Sequence, residues 1–164
     1  MGKGTEKIVE RFPHHTIMPI VGEPNYETLN EVKLKLDTNG MSIRSHIGNR
    51  HLGLLYLTVT PAMYNTQSAT PFVPPENPGP SPTVPAGSTG PQIVDINRSY
   101  VHNATIFKEY DDMDKVIKAL LMLAIDKIYI RALRNRYVGY VNVTTLEMLT
   151  DMYKNCARTT PTYL

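Results

Sequence analysis

Tryptophan is absent from this chain, cysteine occurs once and phenylalanine three times. The single cysteine, Cys156, excludes an internal disulfide and any zinc finger built on several thiolates, and a lone thiol fits a reducing compartment. An excess of one charge is also missing. Seventeen Lys and Arg against fifteen Asp and Glu leave a formal net charge of +2, too little to imply nucleic acid as a partner by itself. No apolar run reaches the length of a membrane span, and residues 1–12 are charged and lack the apolar stretch of a signal peptide. A cytoplasmic protein without a membrane partner is therefore expected. The sequons at Asn97, Asn103 and Asn142 carry little weight, because glycosylation requires the secretory pathway. A Gly-rich phosphate loop, an H-E-x-x-H helix and a nucleophile elbow are all missing. The chain reads as a non-enzyme, with no cofactor and no small-molecule substrate.

What is present is helical periodicity, interrupted by one proline-rich stretch. With 164 residues the chain can build one sizeable core. Residues 1–22 are polar and charged, show no sustained period and read as a flexible arm; residues 23–164 read as a single helical domain. Tyr26, Leu29, Val32 or Lys33, and Leu36 recur at helical spacing between the start signal Pro24-Asn25 and the stop signal Asn39-Gly40. A first helix of about three turns ending near Asp37 is predicted. Residues 52–59, rich in Leu, Tyr, Thr and Val, suit a strand or a buried helix, and Pro61 ends either one. Most of the thirteen prolines fall within 71–91, among Gly, Ser and Thr. That density permits only an extended, polyproline-like loop, serving as a surface connection or as a docking strip for a polyproline-binding partner.

Beyond Pro91 the pattern is strongly helical. Ile93, Ile96, Tyr100, Ala104 and Phe107 trace one face, and Asp111-Asp112 are expected to break the helix and cap the next. Met113, Val116, Ile117, Leu120, Leu121 and Ala124 form a second, more buried stripe. Asp126 is placed to cap a third segment through Tyr129, Ile130 and Leu133. Thr144 followed by Glu147 is a capping box that opens a last helix with the apolar face Leu146, Leu149, Met152 and Tyr153. The fold class is all-α, or mainly α if residues 52–59 form a small β element.

Few side chains invite chemistry. Asp111, Asp112 and Asp114 could cluster around a hard cation, but aspartates at a helix start are explained by capping and the macrodipole. His46 and His51 are not at the spacing that shares a helical face. Cys156, near Lys154 and Arg158, is either a thiol of lowered pKa or, more simply, a small packing residue. Lys127, Arg131, Arg134 and Arg136 stand out, because the Arg fork suits phosphate and carboxylate. At helical spacing Lys127, Arg131 and Arg134 share a side opposite Ile128. They form either an RNA-contacting or subunit-contacting ridge or a solvated face near a helix C-terminus.

Several segments, taken in order, resemble a known family. They are G-L-L-Y-L-T-V-T-P-A-M-Y-N-T (53–66), F-V-P-P-E-N-P-G-P-S-P (72–82), F-K-E-Y (107–110) and the segment from Ala119 through Y-I-R-A-L-R-N-R-Y-V-G-Y (129–140) to T-T-L-E-M-L-T-D-M-Y (144–153). Together they are similar to the capsid region of Gag from copia-type LTR retrotransposons. The resemblance implies a helical bundle like a capsid N-terminal domain, self-assembly into a homo-oligomeric shell, and enclosure of retrotransposon RNA as a structural role. The chain departs from the family pattern in lacking the first-helix tryptophan, whose place Tyr26 partly fills, and the zinc knuckle C-x2-C-x4-H-x4-C. A domesticated Gag-derived binding module using the proline-rich loop, or an RNA-binding helical domain, are the alternative readings.

Overall fold

The computed structural model describes residues 3–156. It is mainly helical, with α1 (Lys3–Val9), α2 (Tyr26–Ser42), α3 (Pro61–Gln67), α4 (Gly90–Ala124) and α5 (Thr145–Cys156) among the described residues. The only bridge pairing among them is an isolated antiparallel one, Asn135 with Gly139. The core lies where α2, the second half of α4 and α5 meet. Leu29, Val32 and Leu36 face Met113, Val116, Ile117, Leu120, Leu121 and Ala124, and Met148, Leu149 and Met152 close the third side.

Helix α2 starts as expected. The Asn25 side chain accepts the Thr28 N–H, and the Thr28 hydroxyl accepts the Asn25 N–H. It does not stop at Asn39-Gly40, and the reason is that both residues are used for packing. Asn39 is fully buried, and its side-chain amide accepts the His14 N–H and donates to the His14 carbonyl, both at 2.9 Å. Gly40 lets another segment lie directly on the helix. The Leu54 N–H donates to the Gly40 carbonyl at 2.9 Å, and a Cβ on Gly40 would sit 3.1 Å from the Leu54 carbonyl oxygen.

The arm read as flexible is instead packed on the core. Besides α1 it contributes Phe12 and Ile17, both buried, and its Ile20 N–H donates to the Ala124 carbonyl at 2.8 Å. Its apolar residues find cover one at a time, so no period announces them. Residues 52–59 form neither strand nor α-helix. Two single 3-10 turns, Arg50–Leu52 and Leu55–Leu57, bury Leu54, Leu55, Leu57, Thr58 and Val59. Pro61 then opens α3 as a first-turn residue behind the N-cap Thr60, a Thr-Pro start that the reading of Pro61 as a terminator missed.

Helix α4 is capped by Thr89, which forms a box with Gln92, and runs unbroken for 35 residues. Asp111 and Asp112 do not break it. Each pairs with a lysine one turn away, Asp111 with Lys115 and Asp112 with Lys108, which keeps both carboxylates on the helix surface. Ile93, Ile96, Tyr100, Ala104 and Phe107 are only partly buried. The proline-rich segment runs back over this half of the molecule: Pro75, Pro78 and Pro82 are partly buried, and the Tyr100 hydroxyl donates to the Gly79 carbonyl at 2.8 Å.

The tightest backbone crossing lies at Gly53, where φ is +51° and a Cβ would fall 2.3 Å from the Ile43 carbonyl oxygen. Gly53→Ala is expected to cost about 3 kcal/mol through left-handed strain plus displaced backbone. Urea denaturation is the check, and a loss under about 0.5 kcal/mol would show that the crossing relaxes freely.

Candidate functional site

The surface that stands apart from the core begins where α4 ends. Asp126 caps as expected, its carboxylate accepting the Ile128 N–H at 3.0 Å, but two 3-10 turns follow, Lys127–Tyr129 and Arg131–Leu133, in place of the expected helix. Ile130, between them, is fully buried and pins the chain. The Asn135 side chain then accepts the Tyr137 and Val138 N–H groups, and reciprocal backbone bonds of 2.9 and 3.0 Å join Asn135 to Gly139, whose φ is +63°. This closes a tight turn at the tip of the segment.

Without a continuous helix, Lys127, Arg131 and Arg134 have no common helical side. All three, with Arg136, are exposed, and none joins an ion pair among the described residues. The Arg136 guanidinium carbon lies 5.7 Å from the centre of the Tyr137 ring. Ile128, expected on the side away from the cations, is 60 % exposed, and Leu123, Tyr137 and Val141 are 70 %, 86 % and 67 % exposed. Residues 123–141 thus combine uncovered aliphatic and aromatic groups with four cations. No Asp or Glu occurs from Lys127 to Leu146.

This segment is fastened to α4 from below. Lys118 is buried, and its ammonium donates to the carbonyls of Tyr140 at 2.9 Å, Val141 at 3.3 Å and Val143 at 2.9 Å. One turn earlier, the Asp114 carboxylate accepts the Thr145 N–H at 3.2 Å, and the Thr145 hydroxyl donates to the Asp114 carbonyl at 3.2 Å. The capping expected of the aspartates is therefore realised by Asp114 across space, on the first turn of α5. Burial pushes the Asp114 carboxyl above its usual range, opposed by the Thr145 hydrogen bonds and the Lys118 charge. The box predicted for α5 is present: Thr144 N–H donates to the Glu147 carboxylate at 2.8 Å, and Glu147 N–H to the Thr144 hydroxyl at 3.1 Å. Sequence reading missed Lys118, although a lysine between Ile117 and Ala119 within an apolar stripe was a usable signal.

The remaining candidates are dispersed. His46 and His51 are exposed, and among the described residues no group of three or more His, Cys, Asp or Glu is arranged to hold a metal ion. Cys156 is buried, its thiol donates to the Pro24 carbonyl at 3.2 Å, and burial raises its pKa, as suits a packing residue; Arg158 lies outside the described residues. A cavity of about 500 Å³ between α1, residues 43–47 and α4 has apolar walls and a lip bearing charges of both signs, Arg11, Arg44 and Lys108 with Glu109 and Asp112. Among the described residues no helix is long and apolar enough to cross a membrane. Comparison with family models, curated proteins and solved structures gives no match to this chain.

Lys118→Met keeps the stem and removes the three hydrogen bonds, leaving the Tyr140 carbonyl with only its bond from the Val143 N–H. A loss of about 2–4 kcal/mol in urea denaturation is expected, with residues 140–143 gaining amide exchange before the core does. Tyr110 and Tyr153 give a second expectation. Burial, reinforced for Tyr110 by Asp114 and Tyr56 and for Tyr153 by Tyr26, pushes each phenol up to about 12. Because the folded values exceed the unfolded one, the stability these groups contribute is complete below about pH 10 and is lost as pH rises toward about 12. Tyrosinate absorbance combined with denaturation across that window checks it. Tyr110→Phe should flatten the fall, and an unchanged slope would count against the assignment.

Proposed function

We propose that this chain is a structural protein that self-associates, a Gag-like capsid building block whose shell encloses retrotransposon RNA. The observation that carries the reading is residues 123–141. Six of the sixteen exposed large apolar side chains among the described residues fall there, namely Leu123, Ile128, Tyr129, Tyr137, Val138 and Val141. Groups of this kind, uncovered in the monomer and set on a base fixed by Lys118, are what an interface uses. The helical fold and the ordered sequence resemblance support the same reading. In this proposal the arginines and the exposed apolar groups serve contacts between subunits.

A second reading, RNA binding by the same segment, draws on the Arg136–Tyr137 cation–π contact, since aromatic rings and Arg forks also serve bases and phosphates. The docking-strip reading of the proline-rich segment is weakened, because part of its surface is already used against its own chain.

Light scattering with electron microscopy, over a series of protein and salt concentrations with and without RNA, tests the proposal. Discrete oligomers or regular shells that grow with concentration are expected. A monomer under every condition would overturn it.

A further inference from the structure

The basic, apolar segment has a complement on the opposite kind of surface of the same chain. Glu27 and Glu31 stand one turn apart on α2, about 6 Å along the axis, with Glu23 just before the N-cap. All three are exposed, and none is in an ion pair among the described residues. Beside them Leu34 and Tyr26 are 66 % and 58 % exposed. Nearby positive charge is largely accounted for: Lys33 is paired with Asp37 at 2.7 Å, and Lys35 is partly buried. Most other acidic residues sit beside a cation or are engaged in the fold, while Glu76 and Asp95 are exposed but each stands without a second carboxylate nearby in sequence. In sequence Glu6 adjoins Lys7, Glu10 adjoins Arg11, and Glu109 adjoins Lys108, while Glu147 and Asp126 are occupied as caps.

We infer that the 127–141 segment of one copy docks on the Glu27–Glu31–Leu34 ridge of α2 of a second copy, head to tail. This rests on the self-association proposed above and names its contact surfaces. Two features favour a second copy over RNA as the occupant. Ile128, Val141 and Leu123 gain nothing beside phosphate but bury apolar area against Leu34 and Tyr26. The acidic ridge also answers the cations with the carboxylates that Arg binds best. Two basic segments repel each other, so the contact pairs unlike surfaces. A pair of copies then keeps one free surface of each kind, and the assembly extends as an open chain or closes as a ring.

Charge exchange in the full chain tests this, because salt weakens protein and RNA contacts alike. Arg134→Glu with Arg136→Glu, and separately Glu27→Lys with Glu31→Lys, should each raise the concentration for half-association by about tenfold or more. Mixing the two variants should restore association. All four side chains are exposed, so circular dichroism and thermal melts should match the unmodified protein; Arg134→Gln with Arg136→Gln, which should give a partial loss, serves if the reversal disturbs folding. Association of both variants at the unmodified level, or no recovery on mixing, overturns the surface assignment and leaves self-association standing. Loss of RNA binding by the arginine variant with self-association intact makes the segment an RNA surface and overturns the inference. An unmodified protein that stays monomeric removes the underlying proposal with it.

Discussion

One ammonium group holds the C-terminal part of this fold in place. Lys118 sits at the centre of the apolar stripe of α4, where an unpaired charge would cost several kcal/mol. Its three carbonyl partners at 140–143 are the condition for its being there. The dependence is mutual, since those carbonyls belong to an irregular segment with little backbone pairing of its own, in which the Tyr140 carbonyl also accepts the Val143 N–H at 3.1 Å. Asp114, one turn away, performs the matching task for the Thr145 N–H that opens α5. A donor and an acceptor on the same helix thus terminate one segment and start the next. The position of residues 140–145 follows from that pair, as that of residues 127–139 follows from the buried Ile130 and the Asn135 turn.

The sequence carried the helices far better than the connections. The stripe from Met113 to Ala124 was legible because every member is buried at helical spacing, and the Thr144–Glu147 box because capping is a local event. Where local signals misled, a distant contact had claimed the residue. Asn39 and Gly40 look like a stop, yet one binds the His14 backbone and the other accommodates Leu54. Asp111 and Asp112 look like a break, yet lysines four residues away keep them in the helix.

The candidate surface was half legible. Its cations and their exposure could be read from composition, but their arrangement could not, because Ile130 and the Asn135 turn replace helical spacing with 3-10 turns. The exposure of Ile128 and Leu123 reverses what hydrophobicity alone suggests. That reversal turns a charged ridge into a mixed one, and a mixed surface discriminates between partners more sharply than a charged one, since both the apolar and the ionic groups of the partner must be in register.

Helix α4 has a consequence of scale. Its 35 residues extend about 50 Å, roughly twice what the core needs, and the proline-rich segment returns along the surplus. The molecule therefore has a stiff handle, at whose far end a small rotation of the core becomes a large translation.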